Sequence, residues 1–235
     1  MRLRLARLFC VTDARLATSD LAGFAAGVLD AGVGLIQLRD DSASDAEKLA
    51  ALDVLRRADR GRGLVSVYAD PALAREAGAD VLQLPKGGPD VVRARSGLSR
   101  WARVGRSCYT AADVDAALAE DGIDFLTVGP VHNRLPWTPG LPGLDLVRHA
   151  ARVAPPADPA AKPWFAIGGI TLENLGEVLD AGARRVAVGR AITDADDPAR
   201  AARALADRLR AAWGDEFEAY TFAALAREGR AGAEG

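Results

Sequence analysis

The sequence predicts a (β/α)8 TIM barrel with an extra C-terminal helix, and three observations predict it. Short apolar runs of strand type alternate with helical runs along the chain, which requires a parallel sheet. Eight such repeats follow one another with no switch in pattern, which favours closure into a barrel. The length of 235 residues suits a single α/β barrel. A doubly wound open sheet is the alternative that this pattern leaves open.

The strand candidates are largely apolar throughout, as expected of parallel strands that are covered on both faces. They are residues 7–13, 34–40, 64–70, 80–85, 102–107, 124–131, 163–169 and 185–191. Helical runs such as LAGFAAGVLDAG, AEKLAALDVLRRADRG and TAADVDAALAEDG lie between them. A glycine recurs just before a strand, as in DAGVGLI, EAGADVL, EDGIDFL and DAGARRV, and it predicts a helix C-cap at each place.

The pattern predicts one barrel domain over residues 1–213, followed by a C-terminal helical extension and tail over residues 214–235. The Pro/Ala-rich stretch at 152–163 is predicted to be a loop that enters the seventh strand. The amphipathic run at 216–226 is predicted to be the extra helix, and the last residues, GRAGAEG, are typical of a frayed end.

The composition is that of a globular protein, with 49% apolar residues, 26% charged residues and a formal net charge of -2. Such a charge exerts no long-range attraction on nucleic acid or anionic membranes, and no apolar run is long enough to span a bilayer. Cys10 and Cys108 lie in strand-like runs and are expected to be buried thiols in a reducing compartment. We therefore expect a cytoplasmic protein with small-molecule partners, no nucleic acid and no membrane, and homo-oligomer formation stays open.

Polar residues at the end of the second strand indicate where a site lies. In GLIQLRDD, Gln37 and Arg39 alternate with Ile36 and Leu38, so they share one face of the strand. In barrels, chemistry takes place at the C-terminal ends of the strands. The pair therefore predicts an anion site at the mouth of the barrel.

The segments PWFAIGGIT and RVAVGRAIT carry the strongest motif for a ligand. Gly168 and Gly169 allow close approach to backbone N–H groups, and Gly189 and Arg190 lead into a helix N-terminus. The loops after strands seven and eight commonly hold a phosphate in TIM barrels. We expect a phosphorylated ligand there, and two tight turns without a ligand are the alternative.

Asp70 ends the third strand in SVYADPALA, and two interpretations of it stay open. A carboxylate at the barrel mouth could bind Mg²⁺ through its oxygen atoms. Alternatively, Asp70 is the N-cap of a helix that has Pro71 at its first position.

The segments ARLFCVTD, GLIQLRDD, GADVLQL, VGRS, DFLTVGPV, PWFAIGGIT and AVGRAIT stand in an order and spacing that resembles the thiamine phosphate synthase family, together with its relative, thiazole tautomerase. The resemblance covers about residues 6–213. It implies a transferase of thiamine biosynthesis that joins hydroxymethylpyrimidine diphosphate to a thiazole phosphate. The resemblance further implies that pyrophosphate leaves with the help of one Mg²⁺ per subunit, that the pyrimidine-bearing carbon becomes a carbocation, and that the thiazole nitrogen captures it.

The resemblance also implies roles for individual residues. Arg39 and Ser107 are expected to be catalytic, and Asp70 to bind the metal. The residues expected to bind substrate are Gln37, Arg39, Ser107, Arg134, Gly168, Gly169, Gly189 and Arg190.

Several positions depart from the family's motifs, and they cluster on its diphosphate and metal half. Asp41 stands where the family has a lysine, and Ala69, Gln83 and Gly88 replace an asparagine, a histidine and a second metal-binding aspartate. Residues 134–137 read RLPW where the family has T-x-T-K. Lys86 and Arg134 are candidate replacement cations in these loops.

These departures support alternative functions. One is a catalytically impaired or repurposed paralogue that binds a thiazole phosphate or thiamine phosphate. Another is an isomerase similar to thiazole tautomerase, although Tyr109 stands where that enzyme has a histidine.

Overall fold

Eight parallel strands form a closed barrel in the computed structural model, which describes residues 2–132 and 143–231, with side chains as far as residue 227. The strands are β1 (Leu8–Thr12), β2 (Leu35–Leu38), β3 (Val65–Tyr68), β4 (Val81–Leu84), β5 (Arg103–Cys108), β6 (Phe125–Val128), β7 (Trp164–Ile167) and β8 (Val186–Val188). Each strand pairs with the next, and β8 pairs with β1 through Phe9 opposite Ala187. The predicted TIM barrel is therefore confirmed, and the open sheet is wrong.

Helices surround the barrel, and most of them follow a strand directly. They are α1 (Arg2–Leu5), α2 (Leu21–Asp30), α3 (Asp45–Asp59), α4 (Pro71–Glu76), α5 (Val91–Arg95), α6 (Ala111–Ala119), α7 (Gly143–Val153), α8 (Leu175–Asp180), α9 (Arg190–Thr193), α10 (Pro198–Trp213) and α11 (Glu216–Ala231). Within the described ranges, no helix has the length and apolar character needed to cross a membrane.

Two apolar layers hold the barrel together. The larger one lies between the outer face of the strands and the helices. The smaller one fills the lower part of the barrel, where the Phe165 ring meets Phe9 and Phe125 edge-on at centroid distances of 5.5 and 6.1 Å. Leu3 of α1 belongs to this inner layer, so the N-terminal helix closes the end of the barrel where the strands begin.

The two cysteines lie on the outer face of β1 and β5 as buried free thiols, as predicted. Burial raises the pKa of Cys10 and of Cys108 to about 12. Both thiols are therefore protonated at neutral pH, and a protonated thiol is a poor nucleophile.

The C-terminal helix α11 packs at the end of the barrel where the strands begin. Its Tyr220 is buried, and the ring centroids of its Phe217 and Tyr220 each lie 5.2 Å from that of Trp213. Arg185, which precedes β8 and is 1% exposed, lies 5.0 Å from the Trp213 ring centroid and 5.1 Å from that of Tyr220. The extension therefore covers the end of the barrel opposite the predicted site.

Candidate active site

A layer of polar side chains crosses the barrel interior above the phenylalanine layer. Gln37, 3% exposed, donates from Nε2 to Ser66 Oγ at 3.1 Å. Gln83, 2% exposed, donates from Nε2 to Ser107 Oγ at 3.1 Å and to Thr127 Oγ1 at 3.0 Å. This polar layer spans β2 to β6 and forms a floor of amide and hydroxyl groups below the mouth.

A first cavity, which we call the β2–β3 cavity, opens at the mouth where these two strands end. Its volume is about 280 Å³, several times the roughly 30 Å³ that one water molecule occupies. It is lined by Leu38, Arg39, Asp40, Asp41, Lys48, Val67, Tyr68, Ala69, Asp70, Pro71 and Leu73. Arg39 and Asp70, both predicted from the sequence, therefore share one cavity.

Asp70 is the N-cap of α4, so that interpretation of the sequence is confirmed. Its Oδ1 accepts a hydrogen bond from the backbone N–H of Leu73 at 2.9 Å, and Pro71 occupies the first helical position. The same carboxylate also lines the β2–β3 cavity. Capping a helix and facing a ligand are compatible roles here, and metal binding by Asp70 stays a prediction.

The two aspartates after β2 have different environments. Asp40 accepts hydrogen bonds from the Ser42 hydroxyl and from the backbone N–H groups of Ala14, Ser42 and Ala43, at 2.7 to 3.1 Å. These bonds, the one from the Ser42 hydroxyl foremost, lower the pKa of Asp40 to about 2. Asp41 is exposed, lines the cavity, and makes no hydrogen bond or salt bridge with any residue in the described part of the chain.

Three carboxylates line this cavity, and those of Asp41 and Asp70 are the ones open to Mg²⁺, because Asp40 accepts hydrogen bonds from Ala14, Ser42 and Ala43. The described residues contain no group of three or more His, Cys, Asp or Glu side chains that could hold a metal ion. Mg²⁺ commonly binds through one or two carboxylates together with substrate phosphates. The residues present therefore fit Mg²⁺ that arrives with a diphosphate. Asp90, the first carboxylate after Gly88, does not line this cavity. It caps α5 instead, where its Oδ1 accepts a hydrogen bond from the Arg93 N–H at 3.0 Å.

A second cavity, which we call the β7–β8 cavity, has a volume of about 460 Å³. It is lined by Val11, Ile167, Gly168, Gly169, Ile170, Thr171, Ala187, Val188, Gly189, Arg190, Ala191 and Asp194. The structure thus brings together all four residues that the sequence predicts for phosphate binding after strands seven and eight. Arg190 supplies a positive charge and Asp194 a negative charge, and both are exposed.

Close packing against the β6 loop requires the two glycines of this cavity. A Cβ at Gly168 would lie 2.6 Å from Pro130 Cα, and one at Gly169 would lie 2.4 Å from the His132 carbonyl oxygen. Both glycines also have positive φ, 109° and 67°. Asn174 ties the same loop down, because its side chain accepts from Thr171 N–H and donates to the Gly169 carbonyl oxygen. Close packing and two side-chain hydrogen bonds therefore hold this loop against the β6 loop and the start of α8.

Other predicted residues lie elsewhere or outside the described ranges. Ser107 belongs to the polar layer and also borders a groove that contains Lys86. Lys86 makes a salt bridge with Asp113 at 2.9 Å and does not line the β2–β3 cavity, and its suggested role as a replacement cation stays a prediction. Arg134 and the rest of the RLPW segment fall in the stretch that is not described.

The structure adds two residues that the sequence did not single out. Tyr68 ends β3 and stacks on Arg39, with the guanidinium carbon 4.3 Å from the ring centroid. Lys48 lines the same cavity from α3. The position of Tyr68, just before Ala69 and Asp70 at the end of a predicted strand, was a usable signal, whereas Lys48 lies within a helix and carried none.

The chain matches a known family over most of the barrel. Residues 8–192 match the sequence model described as thiamine monophosphate synthase. The chain belongs to this family. Its relatives include the thiamine-phosphate synthases of Streptomyces avermitilis, 45% identical over 89% of this chain and 96% of that one, and of Acidothermus cellulolyticus, 44% identical over 88% and 96%.

Solved structures of the family share the fold. The thiamine phosphate pyrophosphorylase of Pyrococcus furiosus superposes with a TM-score of 0.76 at 27% identity, covering 91% of this chain and 99% of that one. The family resemblance inferred from the sequence motifs is thereby confirmed.

Proposed function

We propose that this family member is a thiamine phosphate synthase, a transferase that joins hydroxymethylpyrimidine diphosphate to a thiazole phosphate and releases pyrophosphate. The observation that carries the proposal is the pair of cavities at one barrel mouth, on either side of the β1 end. Two phosphorylated substrates need two anion sites near one another. Relatives with 44–46% identity over most of the chain carry the name of this activity.

Each cavity takes one substrate in this proposal. The diphosphate lies in the β2–β3 cavity beside Arg39, and the thiazole phosphate lies in the β7–β8 cavity against Gly168, Gly169 and Arg190. The pyrimidine ring then lies above the polar layer, within reach of Gln37 and Ser107. This placement brings the ring nitrogen of one substrate toward the reacting carbon of the other, which lowers the entropic cost of the reaction.

Stabilising the leaving group is the main demand on the protein. The carbon–oxygen bond to the diphosphate breaks, and its electron pair stays on the departing pyrophosphate. The thiazole nitrogen donates its lone pair to the resulting carbocation. Arg39 stabilises the negative charge that builds on the departing oxygen atoms. Asp70 and Asp41 would hold Mg²⁺ together with the diphosphate, and the ion would supply further positive charge to the leaving group.

The test is a coupling assay with both substrates and Mg²⁺, run on the unaltered chain and on Arg39→Ala. Thiamine phosphate formation that Arg39→Ala reduces by at least about 100-fold, the usual scale for losing one charge-stabilising donor, supports the proposal. Absence of product from the unaltered chain would overturn it.

A second candidate function rests on Asp41, whose carboxylate lines the β2–β3 cavity at the family's lysine position. A carboxylate repels a diphosphate that has no metal. The chain would then bind a thiazole phosphate or thiamine phosphate without turnover. Calorimetry that detects thiazole phosphate binding, together with a coupling assay that detects no product, distinguishes this function from the first.

A further inference from the structure

Lys48 is held at the rim of the β2–β3 cavity by the start of α3. Ser44 and Glu47 form a capping box there, in which Ser44 Oγ accepts from the Glu47 N–H and the Glu47 carboxylate accepts from the Ser44 N–H. The backbone N–H of Lys48 donates to the Ser44 carbonyl oxygen at 2.9 Å. This part of the helix is therefore well anchored, and it directs the Lys48 side chain to the cavity.

The Lys48 ammonium group is available to a ligand. Its side chain is 22% exposed, and its one ion pair within the described ranges is with Asp45 at 3.9 Å. Asp45 is 82% exposed and lies three residues away on the same helix, so solvent screens this pair strongly. An ammonium group has three donors, and a loose surface pair does not use them all.

The charges that line the cavity make Lys48 important. Arg39 and Lys48 are the cations among the described lining residues, and Asp41 and Asp70 are carboxylates that face the cavity. Asp40 also lines it and keeps its negative charge, although its oxygen atoms accept hydrogen bonds from its own loop. Without Lys48, a single cation would stand against three carboxylates, and the cavity would repel an anion more strongly.

We propose that Lys48 binds the diphosphate group of the pyrimidine substrate, and so supplies from α3 the positive charge that the β2 loop lacks at Asp41. The proposal rests on the proposed function and deepens it. In the bond-breaking step, Lys48 transfers no proton. Its ammonium group stabilises the negative charge that the electron pair brings to the departing pyrophosphate, alongside Arg39.

The experiment measures binding of inorganic pyrophosphate with Mg²⁺ by calorimetry, which needs no turnover. Lys48→Met keeps the length of the side chain and removes its charge, and Lys48→Arg keeps the charge. Arg57→Met is the matched control, because Arg57 lies on α3, is 79% exposed and pairs with Asp53. We expect Lys48→Met to weaken pyrophosphate binding at least about tenfold, equivalent to about 1.4 kcal/mol, and Lys48→Arg to recover most of the affinity.

Two further readouts separate a local role from a general one. Binding of inorganic phosphate in the β7–β8 cavity should be the same in Lys48→Met and the unaltered chain. In the coupling assay, Lys48→Met should raise KM for the diphosphate substrate and leave KM for the thiazole phosphate unchanged. Equal losses of pyrophosphate affinity in Lys48→Met and Arg57→Met would overturn the proposal, as would undiminished affinity in Lys48→Met or no pyrophosphate binding by the unaltered chain.

The failure of one proposal is distinguishable from the failure of the other. If the unaltered chain forms no thiamine phosphate but binds pyrophosphate in a Lys48-dependent manner, the synthase function is wrong and the role of Lys48 stands. If coupling is fast and Lys48→Met binds pyrophosphate as tightly as the unaltered chain, the synthase function stands and the role of Lys48 is wrong.

Discussion

The guanidinium group of Arg39 lies over the ring of Tyr68, with its central carbon 4.3 Å from the ring centroid. A cation above an aromatic face is attracted by the ring's quadrupole, by about 0.5–1 kcal/mol at exposed sites. Stacking also leaves the N–H donors at the edge of the guanidinium plane free for an anion. Burial raises the pKa of the Tyr68 hydroxyl, so the ring stays neutral at physiological pH. Tyr68 therefore orients an arginine that lines the β2–β3 cavity.

Replacing the Tyr68 ring should weaken pyrophosphate binding modestly. We expect Tyr68→Leu to lose about two- to fivefold in affinity, which matches the energy of one exposed cation–π contact. Tyr68→Phe keeps the ring face and should retain affinity. Calorimetry with pyrophosphate and Mg²⁺ measures both variants. Equal losses in the two would show that the hydroxyl, and not the ring face, is the important group.

The two roles of Asp70 can be separated by two substitutions. Asp70→Ala removes both the N-cap and the carboxylate, and it should lower the free energy of unfolding by about 0.5–2 kcal/mol. Asp70→Ser keeps a capping oxygen and should cost far less stability. Both variants should lose Mg²⁺-dependent pyrophosphate binding, because neither has the charge. Urea unfolding and calorimetry provide the two measurements, and an Asp70→Ser variant that still binds pyrophosphate only with Mg²⁺ would exclude Asp70 as a metal ligand.

Two charged residues of the β7–β8 cavity should act with opposite sign on phosphate binding. Arg190→Ala should weaken inorganic phosphate binding several-fold, and Asp194→Asn should strengthen it, because both charges line the cavity. Arg208→Ala, an exposed change of the same charge on α10, is the control. Calorimetry at low ionic strength makes the effect largest. Affinity that does not respond to either residue would place the phosphate elsewhere.

The lowered pKa of Asp40 predicts that the chain loses stability in acid. Hydrogen bonds, above all from the Ser42 hydroxyl, lower its pKa to about 2 in the folded chain, below the value of about 3.9 expected when the chain is unfolded. The stabilisation is therefore fully present above about pH 4, and it is lost as the pH falls toward 2. The difference in urea-unfolding free energy between the unaltered chain and Asp40→Asn should shrink from pH 5 to pH 2. A difference that is constant over this range would contradict the prediction.

The local sequence determined most of the fold and one of the two cavities. Eight apolar runs with helical runs between them require parallel strands that are buried on both faces, and the order of the strands follows from chain order. Gly168, Gly169, Gly189 and Arg190 could be placed together because β7 and β8 are neighbours whose ends meet at one rim. The Asp70 cap was predictable because an N-cap and its proline are local features.

Only the tertiary structure decided which charges share a cavity. Lys48 reaches the β2–β3 cavity because of the way α3 begins and packs beside β2 and β3, and helical periodicity alone does not reveal where a side chain ends in space. The sequence suggested Lys86 as a replacement cation, but the structure places it outside the β2–β3 cavity and in a salt bridge with Asp113. Side chains far apart in sequence meet only through packing, and the electrostatic energy of an anion site depends on those distances. The sequence therefore determined the barrel and the position of its mouth, and the packed structure decided the charges of the β2–β3 cavity.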